Sequence, residues 1–256
     1  MSEAFEEAHL LNQRARELSR ELAGLAKEFF DTEPYAQRTD VDRKTGEHIH
    51  KIAMTRQLPK RLTPIAADAI NNLRSALDHA VVASCIALHV VRASSTYFPF
   101  AADEGQLDNA IKGRCKNVPR ELIDLFRSFK PYKGGNDLLY AISTLSGSNK
   151  HLKLVSIGAA GSNAFRIDHL HVVKAKHFEV QLPRWDVSRG ELVLFRSSPE
   201  AEFSGSIDFH FFVAFANADF VAGSEASAVI DRMSEEVDRI VTAITLETDR
   251  LRALAP

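Results

Sequence analysis

A run of polar residues between Asp68 and His79 contains the side chains best suited to chemistry. Its members are carboxylates, amides, a hydroxyl, an arginine and a histidine, namely Asp68, Asn71, Asn72, Arg74, Ser75, Asp78 and His79. A guanidinium presents a planar fork of donors that matches phosphate oxygens, and an imidazole exchanges protons near neutral pH. We interpret the cluster as gathered around a ligand, and a phosphate fits these residue types best.

One helix must position this cluster, and the sequence predicts it over residues 63–91. Thr63 is a suitable N-cap, and Pro64 suits the first helical position. Apolar residues recur at the spacing of one helical face, at Ile65, Ala66, Ala69, Ile70, Leu73, Ala76, Leu77, Ala80 and Val81. Between His79 and the predicted end of the helix, almost no residue is polar. This second half of the helix is therefore predicted to be buried on all sides. The polar cluster then lies where the helix enters the core.

A purely structural role for these residues is the alternative, and the sequence leaves it open. Arg74 and Asp78 are four residues apart, a spacing at which opposite charges pair on a helix surface. His79 is then a helix histidine whose hydrogen bonds are satisfied by its neighbours. The protein would in that case be a non-enzymatic interaction or ligand-binding protein with a structural polar patch.

A second candidate group follows a later helix, which Asn136 is predicted to cap and Gly147 to end. Asn149, Lys150 and His151 come soon after that glycine. Lys150 and His151 could complete a phosphate site with the arginine and the histidine of the central helix. Alternatively, this segment caps the helix, and Lys150 complements the negative end of the helix dipole.

Two histidine pairs are the remaining candidates for chemistry. His48 and His50 alternate along one predicted strand, and His169 and His171 along another, so each pair shares a strand face. Zinc uses such pairs but needs further ligands, and no cysteine lies near either pair in sequence. The sequence therefore favours a structural role for both pairs and predicts no metal site.

The motif Arg74-Ser75-Ala76-Leu77-Asp78-His79 resembles the R-x4-H signature of the HEPN (higher eukaryotes and prokaryotes nucleotide-binding) ribonuclease superfamily. The resemblance implies an all-α core, a cleft between two copies of the chain and metal-independent RNA cleavage without a cofactor. It further implies that Arg74 holds the scissile phosphate and His79 assists proton transfer. The RNA 2′-hydroxyl would attack, and a cyclic phosphate would be the product. The supporting, phosphate-binding residues would be Asn72, Asp78, Lys150 and His151.

This resemblance suggests an endoribonuclease of the toxin or phage-defence type. Its partners would be RNA, a second copy of the chain in a homodimer and an antitoxin protein. The arrangement also resembles a group of bacterial proteins that share an L-R-S-A-L-D-H helix, an F-P loop at Phe98-Pro99 and a K-H dipeptide before a sheet. That second resemblance brings no activity with it.

Charge and composition set limits on these functions. The chain has 256 residues, of which 45% are hydrophobic and 26% charged, and its net charge of −2 provides no general attraction for nucleic acid. Residues 110–153 carry nine lysines and arginines against three acids, a local charge of +6. This excess is either a set of solvated helix faces or a phosphate-binding surface. No apolar run is long enough for a membrane helix, and two cysteines with no signal-peptide pattern favour the cytoplasm.

The patterns together predict one α+β domain, a long-helix bundle with a small N-terminal hairpin and an appended C-terminal antiparallel sheet. The helical portion covers residues 1–151 and 224–256, and the sheet portion covers residues 152–223. The hairpin is predicted over residues 35–58, and the last strand over residues 206–216, with breaks at 183–190 and 197–205. Heptad spacing in the first and last helices predicts that they pack on each other or across a dimer.

Overall fold

Helices form the interior of this protein, and the central one is α2. The computed structural model describes residues 3–91, 93–147, 154–158, 165–180, 185–186, 188–209, 211–216 and 224–254. Its helices are α1 (Glu6–Phe30), α2 (Leu62–Ala87), α3 (Leu107–Arg114), α4 (Arg120–Ser128), α5 (Asp137–Gly147) and α6 (Ala226–Leu254). Short 3₁₀ turns cover Glu3–Phe5, Ala93–Ser95 and Glu104–Gln106. The predicted central helix and the helix predicted between Asn136 and Gly147 are therefore confirmed to within a few residues.

The apolar face of α2 is buried as its spacing predicts. All nine residues of that face are at most 9% exposed, and they pack against α1, α5 and α6. Four of them are alanines, whose small side chains let neighbouring helices approach closely. This packing fixes the rotation of α2 about its own axis. The direction in which each polar residue of the cluster points is fixed with it.

Two details of the predicted central helix are wrong. The helix begins at Leu62 after Arg61, so Thr63 is not its N-cap, and Pro64 lies in the first turn, where its missing N–H costs no hydrogen bond. The second half is not buried on all sides, because Ile86 is 59% exposed. The helix ends at Ala87, and His89 adopts a φ of 55° just beyond it.

The first and last helices pack on each other within the chain, which confirms one of the two predicted arrangements. A buried polar contact joins them: Asn12 Nδ2 donates to the Ser234 carbonyl at 3.1 Å, and Ser234 Oγ donates to Asn12 Oδ1 at 2.8 Å. Because both side chains are almost fully buried, this pair fixes the axial register of α1 against α6.

The strands are β1 (Tyr35–Val41), β2 (His48–Met54), β3 (Leu154–Gly158), β4 (Phe165–Val173), β5 (Phe178–Val180), β6 (Trp185–Asp186), β7 (Glu191–Ser197), β8 (Glu202–Phe209) and β9 (Phe211–Phe215). All their pairings are antiparallel, and the α+β class is confirmed. The main sheet has the order β1-β2-β7-β5, with β6 also on β7, while β3 pairs with β9 and β4 with β8.

The sheet differs from the sequence prediction in three places. The N-terminal hairpin is joined to the C-terminal strands, because His48 of β2 pairs with Ser197 of β7. Residues 202–205 belong to β8, so the predicted break at 197–205 is too long. Within the strand predicted at 206–216, residues 206–209 pair with β4 and residues 211–215 pair with β3. The short β6 lies in the other predicted break. The single-domain organisation stays a prediction, with which the β2–β7 pairing is consistent.

Candidate functional site

Arg74 projects from α2 towards α5 and a loop that follows α2. Its Nη1 donates to Ser146 Oγ at 2.9 Å, and its Cζ lies 5.3 Å from the centre of the Phe100 ring. Ser146 is only 9% exposed, and Arg74 is itself half-buried. A guanidinium held by a hydroxyl and stacked near an aromatic ring is restrained in orientation as well as in position.

Asp78 lies one helical turn after Arg74 and holds the same loop. One of its carboxylate oxygens accepts the backbone N–H of Phe98 at 2.8 Å. Burial raises the pKa of Asp78, while the Phe98 N–H and the charges of Arg74, Arg114 and His79 act in the opposite direction. Within the described part of the chain no hydrogen bond joins the side chains of Asp78 and Arg74, so the surface pair that the structural alternative offered does not form, and the two charges interact only at longer range. The carboxylate is instead a half-buried acceptor for a loop.

Residues 97–100 form that loop, which we call the aromatic segment, and they are held by both Asp78 and Arg114. Tyr97 N–H donates to the Arg114 carbonyl at 3.1 Å, and Arg114 Nη1 is 3.4 Å from the Phe98 carbonyl oxygen. The Phe98 and Phe100 rings are 0% and 4% exposed. We define the α2 cluster as Arg74, Asp78, Arg114 and Ser146 together with the aromatic segment. Sequence reasoning counted Arg114 only among the local basic residues and gave no signal for Ser146.

His79 points to a different neighbour. Its Nδ1 is 3.3 Å from Glu7 Oε2 on α1, and the two side chains are 43% and 71% exposed. Five residues of an α-helix turn through about 500°, which leaves positions 74 and 79 about 140° apart around the axis. Arg74 therefore contacts α5 and the aromatic segment, whereas His79 contacts α1. Within one chain, the two predicted catalytic residues are not brought together.

Among the described residues, no predicted site residue other than Asp78 lies with Arg74 or His79 in a common site. Asn72 Nδ2 donates to the Asp68 carbonyl at 2.7 Å, a contact within the same helix on its exposed side. Lys150 and His151 lie outside the described residues, so the prediction that they complete the site is untested. Asn136 Oδ1 accepts the Leu139 N–H at 3.2 Å, which confirms the predicted cap of α5.

Part of the basic excess of residues 110–153 is paired with acids. Arg127 Nη2 lies 3.0 Å from Asp108 Oδ1, and its Nη1 lies 3.1 Å from Asp124 Oδ1. Arg120 is 3.8 Å from the same Asp124 carboxylate, and these side chains are well exposed. For this part of the stretch, the structure matches the interpretation as solvated helix faces.

The His48–His50 pair shares a strand face as predicted, with ring centres 6.1 Å apart. His50 is 9% exposed, and both its nitrogens have hydroxyl partners: Nδ1 is 3.1 Å from Thr39 Oγ1, and Nε2 is 3.0 Å from Ser197 Oγ. Burial, and secondarily His48, lowers the pKa of His50. Among the described side chains, no three histidines, cysteines or acids are grouped closely enough to hold a metal ion. In the second pair, His171 is exposed.

The surface has two clefts of measurable volume whose linings include neither Arg74 nor His79. A cleft of about 390 Å³ lies between α1, β1 and β9, and a smaller one of about 110 Å³ lies beside His50. Both clefts therefore lie away from the α2 cluster.

Comparisons of the chain with protein-family models, with curated proteins and with solved structures give no match. The HEPN-like interpretation therefore depends on the R-x4-H motif and its helix alone. No helix within the described ranges is both long and apolar enough to cross a membrane.

Proposed function

We propose that this chain is a non-enzymatic binding protein in which the α2 cluster is a structural network. The observation that carries this proposal is the divergence of Arg74 and His79, which contact α5 and α1 respectively. Each polar member of the cluster has a partner inside the protein, and the partners converge on the aromatic segment. The network holds that segment over the helical core, and binding takes place elsewhere on the surface.

A HEPN-like, metal-independent endoribonuclease is the second candidate, and one observation favours it. The positive charges of Arg74 and Arg114 both act on the single carboxylate of Asp78, so the junction has a surplus positive charge. A phosphate of RNA would neutralise that surplus. In this candidate the chain is a homodimer, and the partner copy supplies the His79 that one chain does not bring to Arg74. A toxin or phage-defence role and an antitoxin partner belong to this candidate as well.

The cytoplasm is the compartment we propose under both candidates. Cys85 and Cys115 are free thiols in the buried core, and free thiols persist in a reducing compartment.

One experiment separates the two candidates. Purified protein is incubated with RNA in EDTA, as wild type and as Arg74→Ala, Arg74→Lys and His79→Ala, and each variant is also unfolded thermally. Arg20→Ala is the matched control, because Arg20 is an exposed guanidinium on α1.

The structural network predicts no cleavage by any of these proteins. Arg74→Ala should lose about 1–2 kcal/mol of unfolding free energy, because Ser146 and the Phe100 ring lose their partner. Arg74→Lys should lose less, and His79→Ala and Arg20→Ala little. The ribonuclease predicts EDTA-resistant cleavage that both Arg74→Ala and His79→Ala abolish without a loss of stability. That second outcome would overturn the structural proposal.

A further inference from the structure

The larger cleft lies where the C-terminal end of α1 meets β1 and β9. Its volume is about 390 Å³, which is within the range of small-molecule sites. The aromatic side chains in its lining are Phe30, Tyr35, Phe211 and Phe212, and the charged ones are Lys27, Asp31 and Glu225. Ala23 and Ala26 of α1 also line it, and their small side chains leave room beside the rings.

Three of these four rings form one aromatic wall. Phe211 stacks on Tyr35 with ring centres 4.6 Å apart and on Phe30 with centres 5.9 Å apart. Trp185 packs edge-on against Phe211 at 5.7 Å and supports that ring. All three rings line the cleft; Phe211 is buried, whereas Phe30 and Tyr35 are half-buried. The electron-rich faces of such rings attract cations.

Among the described residues, the charged side chains at the rim include one acid without an ion-pair partner. Lys27 Nζ is 2.5 Å from Asp31 Oδ2, so these two charges neutralise each other. Glu225 accepts a hydrogen bond from Ser227 Oγ at 2.7 Å, and among the described residues it forms no ion pair. The C-terminal end of α1 and the N-terminal end of α6 add partial charges of opposite sign that offset each other. The described side chains of the rim therefore carry a net charge of about −1.

We propose that this cleft binds an organic cation, a quaternary or protonated amine joined to a flat apolar body. The ammonium group lies against the faces of Tyr35 and Phe30, with Glu225 as its counter-charge, and the apolar body fills the space beside Ala23 and Ala26. This inference rests on the proposed function, because it names the class of ligand that the binding protein takes.

The test uses benzyltrimethylammonium as the probe and 3-phenylpropionate as an anion of similar size. Trp185 is the only tryptophan in the chain and touches Phe211, so its fluorescence reports on the aromatic wall. Each probe is titrated into the full chain while Trp185 emission is recorded, and calorimetry gives an independent affinity. The variants are Glu225→Gln and Tyr35→Leu. Glu28→Gln is the matched control, because Glu28 is an exposed acid on α1 that does not line the cleft.

The cation should bind saturably and the anion should not. Glu225→Gln should weaken cation binding about fourfold, the factor that one charge supplies about 5 Å away in water. Tyr35→Leu should weaken it further, and Glu28→Gln should leave it unchanged; thermal unfolding checks that each variant is folded. Equal binding of both probes, no binding of either, or a folded Tyr35→Leu that binds like wild type would overturn the proposal. Ribonuclease activity in EDTA is a separate result and would overturn the proposed function instead.

Discussion

The α2 cluster and the polar cluster of the main sheet, which consists of Thr39, His50 and Ser197, differ in how they tolerate burial. Burial raises the pKa of Asp78 and lowers that of His50, so in both clusters it favours the neutral form. Around Asp78, a backbone N–H and nearby cations oppose this effect. Around His50, the direct partners are two uncharged hydroxyls, and the neighbouring His48 adds to the lowering.

This difference indicates in which cluster the loss of a single residue should reduce the stability of the protein more. In the α2 cluster, loss of one member leaves a charged group or a loop N–H without its partner. In the sheet cluster, loss of a hydroxyl leaves a neutral ring nitrogen. An unpaired buried charge costs more than an unpaired neutral group, so we expect the helical cluster to be the more sensitive of the two.

The largest effect is expected for Asp78→Ala. The substitution removes the acceptor of the Phe98 N–H and leaves Arg74 and Arg114 without their nearby negative charge. Chemical denaturation should show a loss of about 2–3 kcal/mol in the free energy of unfolding. Asp78→Asn keeps an acceptor oxygen and should lose clearly less. If the alanine and asparagine variants are equally stable, the hydrogen bond to the aromatic segment is not what Asp78 contributes.

Ser197→Ala should have a smaller effect. It removes the partner of His50 Nε2 but leaves Thr39 on the other ring nitrogen, so we expect a loss of about 1 kcal/mol. Ser204→Ala on β8 is the control, because Ser204 is exposed. Denaturation of both variants beside Asp78→Ala ranks the two clusters directly. A loss at Ser197 as large as that at Asp78 would contradict the comparison.

The pH dependence of stability should come partly from His50. Its pKa in the folded protein lies below the ordinary value of 6.5, so the unfolded chain binds the proton more readily. Stability is therefore complete above about pH 6.5 and falls as the pH decreases below it, with a slope of at most about 1.4 kcal/mol per pH unit. Urea denaturation of His50→Gln between pH 5 and 7 should show a shallower slope, whereas the exposed His171→Gln should match wild type. An unchanged slope in His50→Gln would exclude His50 as the source.

The smallest effect is a change in thiol reactivity. Burial raises the pKa of Cys115 to about 12 and also raises that of Cys85, so neither thiol should react in the native protein. Cys115 Sγ lies 3.4 Å from the Tyr97 carbonyl oxygen, and labelling of this thiol reports opening of the aromatic segment. Asp78→Ala should accelerate labelling and Ser197→Ala should not. Equal rates in both variants would mean that the two clusters open together.

The features predicted best from the sequence are those that follow from the residue spacing of a single helix or strand. The apolar face of α2 and the shared face of His48 and His50 follow from helical and strand spacing, and the structure confirms both. The partners of these polar residues were not predictable in this way. Ser146 reaches Arg74 from 72 positions away, and Ser197 reaches His50 from 147 positions away, so tertiary packing alone brings them together.

The predicted active site shows the same limit. Spacing places Arg74 and His79 on one polar side of a helix, but that side is wide enough for its two edges to face different neighbours. Once α1 and α5 flank the helix, one edge contacts Ser146 and the other contacts Glu7. Whether the side chains at these two edges meet in one site therefore depends on neighbouring elements that lie outside the motif.

The pairing of β2 with β7 also has a consequence for biosynthesis. The N-terminal hairpin emerges from the ribosome early, yet the edge of β2 receives its neighbour only when residues 191–197 have been translated. Contacts so distant along the chain form slowly, and an unpaired strand edge can recruit foreign strands in the meantime. We therefore expect chains truncated before β7 to aggregate through this edge, and a chaperone that shields it to raise the yield of native protein.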